Sequence, residues 1–156
     1  MSKSLRRVEA ALSAAGVSVQ VLEMGDETRT AAQAAAAAGC ALDQIVKSIL
    51  FQGAQSGQLH LFLTAGGVQV SADKAAALVG EPVTRADAAM VRAQTGFAIG
   101  GVAPLGHLTP VVPFMDPALM GYAVVWAAAG TPRHIFAIAP GVLQRITGAR
   151  VTDFAA

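Results

Sequence analysis

The sequence predicts one domain of the α/β or α+β class, with helices packed on a mixed β-sheet. Its 156 residues fit a single domain that buries about two-thirds of the surface of its unfolded chain. Helical stripes with clear end signals alternate with short apolar strands along the chain. Two turns that contain glycine, Gly53–Gly57 and Gly130–Pro132, join strands that are neighbours in sequence. Because such turns form hairpins, a purely parallel sheet is not expected.

The first quarter of the chain contains two helices with clear boundaries. The first ends at Gly16, a residue suited to the left-handed position after a helix. Its apolar stripe consists of Leu5, Val8, Leu12 and Ala15. Thr30, followed three residues later by Gln33, forms a capping box. It predicts a helix from Ala31 to Ala38 that stops at Gly39.

Four further helical segments are expected. Each begins at a residue that caps a helix or suits its first turn, and most of them end at glycine. In chain order they are the segment from Ser71 to near Gly80, the segment Arg85 to Thr95 with its start signal at Thr84 and Asp87 and its stop at Gly96, the short turn opened by Asp116–Pro117, and the segment from Pro140 to Gly148.

Five apolar runs predict the strands between these helices. Tyr122 and Trp126 share one face of the fourth strand, so both are expected in the core. The runs are Val17 to Leu22, Gln44 to Phe51, Gln58 to Thr64, Tyr122 to Ala128 and His134 to Ala139.

Composition excludes several classes of protein. A net charge of +1 lacks the basic surface that strong non-specific binding of nucleic acid requires, although a narrow contact with a nucleic-acid end stays open. The single cysteine, Cys40, rules out an internal disulfide and a cysteine-based metal cluster. Apolar runs are too short for a membrane helix, and the basic N-terminus lacks the apolar core of a secretory signal. We therefore expect a cytoplasmic protein.

The segment Phe97 to His107 is the most informative part of the chain. It places Gly100, Gly101, Pro104 and Gly106 close together, a composition that suits neither a helix nor a regular strand. Such a loop allows the backbone to approach a ligand, and its amides could stabilise an oxyanion or clasp a small group. An ordinary tight connection or a bulged strand would also explain the glycines.

Lys47 lies within the apolar strand and is the second informative feature. Side-chain alternation places Lys47 on one face with Ile45, Ile49 and Phe51, and Ser48 on the other. The lysine either extends from a strand edge to water or lines a cleft, where its charge could hold a phosphate or polarise a carbonyl.

Several catalytic classes lack their motifs here. The loop matches neither the dinucleotide fingerprint nor the phosphate loop, and no nucleophile elbow is present. His60, His107 and His134 have no zinc-ligand spacing, so no metal or other cofactor is expected. His107 could act as a general base or orient a substrate, but a single histidine beside a loop is more often a surface or hydrogen-bonded residue. Hydrolysis at this site would have to use water.

Four segments give the chain a resemblance to a known family. The sequence resembles the YbaK/prolyl-tRNA synthetase-associated domain family, the prolyl-tRNA editing domains, from roughly Gly16 to Phe154. The lysine strand and the glycine-rich loop together form a fairly specific signature. The four segments are Thr28-Arg29-Thr30-Ala31, Ile45-Val46-Lys47-Ser48-Ile49, Gly100-Gly101-Val102-Ala103-Pro104-Leu105-Gly106-His107 and Val125-Trp126-Ala127-Ala128-Ala129-Gly130-Thr131-Pro132.

The resemblance implies a single domain over residues 1–156, with a mixed, mostly antiparallel sheet curled toward a barrel. It also implies hydrolysis in trans of the ester of mischarged aminoacyl-tRNA, typically a wrong small amino acid on proline tRNA. A prolyl-tRNA synthetase is a further candidate partner. Ala41 to Ser48 looks more like the free-standing proteins than the domain inserted in the synthetase. The alternative is a non-catalytic module of the same fold that binds tRNA or a synthetase.

The resemblance also implies the site residues. Lys47 matches the family's conserved pocket lysine and is the expected catalytic residue. Some alanine-specific members have asparagine at the next position, where this chain has Ser48, so alanine specificity does not transfer. We hypothesise that Ile49, Phe97 and Leu105 form the pocket wall. The expected substrate-binding residues are Thr30, Ser48, Gly100, Gly101, Val102, Pro104, Leu105, Gly106, His107, Gly130 and Thr131.

Overall fold

The computed structural model describes residues 2–25 and 30–156, which form five α-helices and an eight-stranded sheet. Two short 3₁₀ turns, Leu42–Gln44 and Pro117–Gly121, complete the regular elements. In chain order the helices and strands are α1 (Lys3–Ala14), β1 (Gln20–Glu23), α2 (Ala31–Ala38), β2 (Ile45–Gly53), β3 (Leu59–Ala65), α3 (Ala72–Val79), β4 (Val83–Arg85), α4 (Ala88–Thr95), β5 (Phe114–Met115), β6 (Val125–Thr131), β7 (His134–Ile138), α5 (Pro140–Thr147) and β8 (Arg150–Val151).

The sheet is mixed, as the sequence predicts. Its strand order is β1-β7-β6-β2-β3-β5-β8, with β4 attached to β2. The pairs β1–β7, β6–β7, β2–β3 and β2–β4 are antiparallel, and β2–β6, β3–β5 and β5–β8 are parallel. Both expected hairpins, β2–β3 and β6–β7, are confirmed, and the fold class with them.

Helices cover both faces of the sheet. The main core includes Leu12 of α1, Val91 of α4 and Leu143 of α5, packed with β2 residues such as Val46. Ile45, on the opposite side of β2, packs with α2 and Trp126. Two smaller clusters thus cover the second face, one under α2 and one under α3, where Phe62, Ala75 and Phe154 are buried together.

One edge of β2 is only partly paired, and this gap positions the site. On that edge β6 pairs with Ile45 and Val46, and β4 pairs with Phe51 to Gly53. Among the described residues, no strand pairs with the interval 47–49 on this side. Immediately afterwards, the β6–β7 register shifts between Ala128 and Thr131, and a bulge of this kind bends a strand away from its neighbour. The result is an opening between β2 and β6.

The end signals of the sequence place most helices correctly. The capping box of Thr30 and Gln33 forms as predicted, and Gly39, Gly80 and Gly148 end their helices in the left-handed conformation. The short turn after Asp116 is also confirmed, because that side chain accepts a hydrogen bond from the Ala118 amide. None of the helices in the described part of the chain is long and apolar enough to cross a membrane.

The predicted start of α4 is wrong. Residues 83–85 form strand β4, in which Thr84 pairs with Gln52. The N-cap is Asp87, whose side chain accepts a hydrogen bond from the Met90 amide at 3.2 Å. Thr84 and Asp87, three positions apart, can each cap a helix in this segment, and the free edge of β2 decides between them, because pairing with it keeps Thr84 extended.

Two strand boundaries also differ from the prediction. β1 begins at Gln20 rather than Val17, since the turn that ends α1 continues through Gly16. β6 begins at Val125, because the 3₁₀ turn extends to Gly121. Tyr122 therefore lies before the strand and does not share a strand face with Trp126. Tyr122 is half-buried against the main core, whereas Trp126 packs against the α2 cluster.

We expect Asp87→Ala to destabilise the domain by about 1 kcal/mol, since an N-cap acceptor has this typical value. Thr84→Ala is the matched control and should cost only a few tenths of a kcal/mol, because Thr84 is exposed on a three-residue strand. Urea denaturation of both variants checks this order. Equal losses, or a larger loss for Thr84→Ala, would contradict the assignment of the cap.

Candidate functional site

The opening between β2 and β6 contains a cavity of about 220 Å³. One wall is the first turns of α2, a second is β2, a third is β6 with β7, and the glycine-rich loop forms the last. The lining is mostly apolar, and among the described residues Lys47 is its one cationic side chain. The lining residues are Thr30, Ala31, Ala34, Ile45, Val46, Lys47, Ser48, Ile49, Gly100, Val102, Trp126, Ala128 and Ile135.

Lys47 is held by the turn that follows β3. Its Nζ donates a hydrogen bond to the Val68 carbonyl at 2.6 Å, which leaves two ammonium protons for other partners. The pKa of Lys47 lies below its ordinary value of 10.5, because partial burial disfavours the charged form; the nearby carboxylates of Asp43 and Asp116 oppose this shift. The lysine is therefore partly desolvated at the cavity, which is the functional alternative proposed from the sequence.

The turn that holds Lys47 is itself fixed by Asp43. The Asp43 carboxylate accepts a hydrogen bond from the Gly67 amide at 2.7 Å, one residue before the carbonyl that binds Lys47. Gly66 is required beside it, since a Cβ at this position would overlap the Leu42 carbonyl oxygen. Sequence reasoning missed the Gly66–Gly67 pair, although two adjacent glycines after a strand signal a close approach of backbone.

The glycine-rich loop borders the cavity at Gly100 and Val102. Gly100 adopts φ +93°, a conformation that side chains rarely tolerate. Gly101 packs directly on the β6–β7 turn, where a Cβ would lie 2.8 Å from the Thr131 backbone. The Gly101 amide donates to the Ala98 carbonyl, but within the described residues the Gly100 and Val102 amides have no hydrogen-bond partner. Two backbone donors are thus available beside the cavity.

The second half of this loop turns away from the cavity. Pro104 is buried and Leu105 packs against the main core. Gly106 lies against α1, where a Cβ would lie 3.5 Å from the Arg7 carbonyl oxygen. These residues shape the loop from behind and do not line the cavity.

His107 also lies outside the cavity. Its Nε2 lies 2.7 Å from the Ala103 carbonyl oxygen, and its ring makes an edge contact with Phe97. Burial lowers the pKa of His107, so the imidazole is neutral at pH 7 and its Nε2–H donates to Ala103. Of the roles considered for this histidine, the hydrogen-bonded structural one fits this geometry.

Gly130 and Thr131 support the loop and are not part of the lining. Gly130 adopts φ +97°, and a Cβ there would lie 2.7 Å from the Ser4 carbonyl oxygen of α1. The Thr131 hydroxyl lies 2.7 Å from Nδ1 of His134 across the turn. Both residues allow the β6–β7 turn to pack between α1 and the glycine-rich loop.

The cavity wall differs from the hypothesis made from the sequence. Ile49 lines the cavity, but Phe97 is fully buried in the core and Leu105 faces that core as well. Instead, the wall includes Trp126, which sequence reasoning placed in the core, and six residues that it did not assign to the site. Those six are Ala31, Ala34, Ile45, Val46, Ala128 and Ile135. Thr30 lines the cavity while its hydroxyl caps α2, and its neighbours Thr28 and Arg29 lie outside the described residues.

The arrangement suits a small apolar group attached to a polar one. Apolar walls accept the first, and Lys47, Ser48 and two amides can bind a carbonyl oxygen or an anion. Within the described residues, no group of three or more histidine, cysteine or acidic residues is placed to hold a metal ion.

Comparison with known proteins gives a family and several relatives. The model of the aminoacyl-tRNA editing domain family matches residues 26–146, a range that includes the whole lining. A curated relative, the uncharacterized protein YwhH of Bacillus subtilis (strain 168), is 28% identical over 131 residues, which are 84% of this chain and 83% of YwhH.

Two solved structures share the fold along nearly their whole length. One, described as a candidate trans-editing enzyme for prolyl-tRNA synthetase, is 46% identical with a TM-score of 0.93, covering 100% of this chain and 99% of its own. The other, hypothetical protein APE2540, is 29% identical with a TM-score of 0.88, covering 96% and 99%.

Proposed function

Since the chain belongs to the aminoacyl-tRNA editing domain family, we propose that it is a deacylase that acts in trans. Its substrate would be a mischarged tRNA, with proline tRNA carrying a wrong small amino acid as the first candidate. The family and the relative described as a candidate trans-editing enzyme support a tRNA editing role. The observation that carries the finer proposal is that Lys47 lines the same small cavity as Gly100 and Val102, whose amides have no hydrogen-bond partner within the described residues.

The proposed reaction is attack of water on the ester carbonyl. A bond forms between the water oxygen and the carbonyl carbon, and the bond from that carbon to the ribose oxygen breaks. The departing ribose oxygen takes up a proton, and the products are the free amino acid and the tRNA with its terminal hydroxyl restored. An aminoacyl ester is already activated, so orientation and stabilisation of the oxyanion supply much of the catalysis required.

The loop amides and Lys47 have separate roles in this proposal. The amides of Gly100 and Val102 would donate to the developing oxyanion, where preorganised backbone donors are most effective. The two remaining ammonium protons of Lys47 would bind the terminal phosphate or the carbonyl side of the ester. The held position of Lys47 limits the reorganisation that either contact needs.

Proton transfer would come from the substrate. The three histidines of the chain do not line the cavity, and His107 is bound to Ala103. Tyrosine and carboxylate side chains are also absent from the lining given by the described residues. We therefore propose that the neighbouring hydroxyl of the terminal ribose orients the water and passes the proton.

Selection of the amino acid would rest on the size of the cavity. A volume of about 220 Å³ lies below the usual range for drug-sized ligands and suits a small aminoacyl group. Trp126 and Ile135 bound the space on the β6–β7 side, and Ala31 and Ala34 on the α2 side. Each methylene in such a pocket changes discrimination by about 1–3 kcal/mol.

The proposed partner is the aminoacylated 3′ end of tRNA, and the proposed location is the cytoplasm. A net charge of +1 favours a brief contact with the acceptor end rather than tight binding to the whole tRNA. A prolyl-tRNA synthetase that holds the tRNA would strengthen that contact.

Lys47→Ala should reduce deacylation at least 100-fold and leave the circular dichroism spectrum unchanged. The assay uses proline tRNA charged with alanine, cysteine, serine, 2-aminobutyrate or proline. Lys74→Ala is the matched control, since Lys74 is an exposed lysine of α3 that pairs with Asp153. It should hydrolyse the same substrates at the rate of the unmodified protein.

Three results would contradict this assignment. If the unmodified protein hydrolyses no member of the panel, the deacylase proposal fails and the non-catalytic binding module takes its place. If Lys47→Ala retains activity, the lysine is not catalytic. If Lys47→Ala unfolds, its role is structural.

Ala128→Val should narrow the range of substrates, because it adds two methyl groups at the cavity wall. Valine suits a strand, so the fold should tolerate the change. Hydrolysis of the 2-aminobutyrate ester should fall about 10-fold or more relative to the alanine ester, as a change of one or two methyl groups allows. Competition between the two charged tRNAs measures this ratio.

Leu105→Ala is the control for the wall. Leu105 packs in the main core, so its truncation should lower stability without changing the substrate ratio. A changed ratio in Leu105→Ala, together with an unchanged one in Ala128→Val, would restore the wall inferred from the sequence.

A further inference from the structure

We propose that Arg7 is a positioning residue whose guanidinium ties both ends of the glycine-rich loop to α1. It thereby holds the Gly100 and Val102 amides at the cavity, an inference that rests on the proposed deacylase function. Arg7 lies before residues 26–146, the range that matches the family model, so the family match gives it no role.

The guanidinium makes one hydrogen bond at each end of the loop. Its Nε donates to the Gly106 carbonyl at 2.9 Å, at the end where the chain leaves the loop. Its Nη2 donates to the Thr95 carbonyl at 3.3 Å, just before the loop begins. A planar guanidinium presents several donors in a rigid fork, so one side chain can join two acceptors that lie far apart in sequence.

An aromatic contact fixes the guanidinium between these two carbonyls. Its Cζ lies 4.4 Å from the centroid of Phe97, the first loop residue after Gly96. Phe97 is fully buried, so the ring is a firm support and the contact adds a cation–π attraction. Gly96 leaves the space that the guanidinium occupies, because a Cβ there would overlap Arg7 Nη2.

The other side of the loop is supported independently. Gly101 packs on the Thr131 backbone, and Gly130 in the same turn packs on the Ser4 carbonyl of α1. The loop therefore lies between α1 and the β6–β7 turn. Loss of the Arg7 contacts would release the two ends of the loop from the guanidinium, while the contact at Gly101 and the bond from the Leu108 amide to the Thr95 carbonyl remain.

Displacement of the loop should slow catalysis, because the rate depends on the distance between the amide donors and the oxyanion. Donors to an oxyanion act only when they point at the place where charge develops, and a displacement of about 1 Å can cost roughly 100-fold in rate. Substrate binding depends on the cavity walls and Lys47, which Arg7 does not contact. The effect should therefore fall on kcat rather than on KM.

The chain provides a matched control at the neighbouring position. Arg6 lies on the same helix and carries the same charge, but its side chain is exposed. The experiment compares Arg7→Gln, Arg7→Lys and Arg6→Gln with the unmodified full-length protein. It measures kcat and KM on the panel substrate that this protein hydrolyses fastest, and amide hydrogen exchange over residues 97–106.

We expect kcat of Arg7→Gln to fall at least tenfold with KM changed less than about threefold. Exchange in 97–106 should rise at least tenfold, while exchange in β2 and β3 stays as in the unmodified protein. Arg7→Lys keeps the charge but not the fork, so it should recover only part of kcat. Arg6→Gln should change neither quantity.

Two results would overturn the proposal. One is exchange in 97–106 that does not rise in Arg7→Gln, or that rises together with β2 and β3 as in general destabilisation. The other is a kcat for Arg7→Gln equal to that of Arg6→Gln. If the unmodified protein hydrolyses nothing, the deacylase function fails, and the exchange measurement alone decides whether Arg7 anchors the loop.

Discussion

The departure of β6 from β2 after only two residue pairs is the constraint on which the site depends. A continuous β2–β6 pair would fill the space now occupied by the cavity. The register shift after Ala128 turns β6 away, and the glycine-rich loop enters the opening. The incomplete pairing therefore exposes Lys47 and Ser48 to the cavity while the rest of β2 stays within the sheet.

Small residues allow the surrounding elements to close on this opening. Gly101 and Thr131 meet backbone to backbone, Gly130 meets α1, and Gly66 meets the turn before β2. Each contact would be prevented by a single Cβ, so the glycines set the distance between elements that come from distant parts of the chain. The cavity is accordingly a product of close backbone packing, with only its walls supplied by larger side chains.

Local signals in the sequence predict the helices well because caps act over three or four residues. The capping box at Thr30 and the glycines after α2, α3 and α5 are such signals, and the structure confirms them. The prediction that a helix starts at Thr84 was wrong, because the conformation of Thr84 is decided by pairing with Gln52, more than thirty residues away. Lys47 and Gly100 line the cavity. This position could be predicted from the sequence, because the motifs that contain the two residues carry the family resemblance.

The cavity wall could not be predicted for the same reason. The pattern of its own strand predicts Trp126 to be a core residue. Only the position of α2 across the sheet places Trp126 at the cavity. Phe97 and Leu105 belong to the loop in sequence but pack into the main core rather than toward the cavity. The most direct test is a crystal structure with an amide-linked alanyl analogue of the tRNA 3′ end. We predict that the alanyl side chain lies beside Trp126 and its carbonyl oxygen within hydrogen-bond distance of the Gly100 or Val102 amide; an aminoacyl group bound outside this cavity would contradict the proposed site.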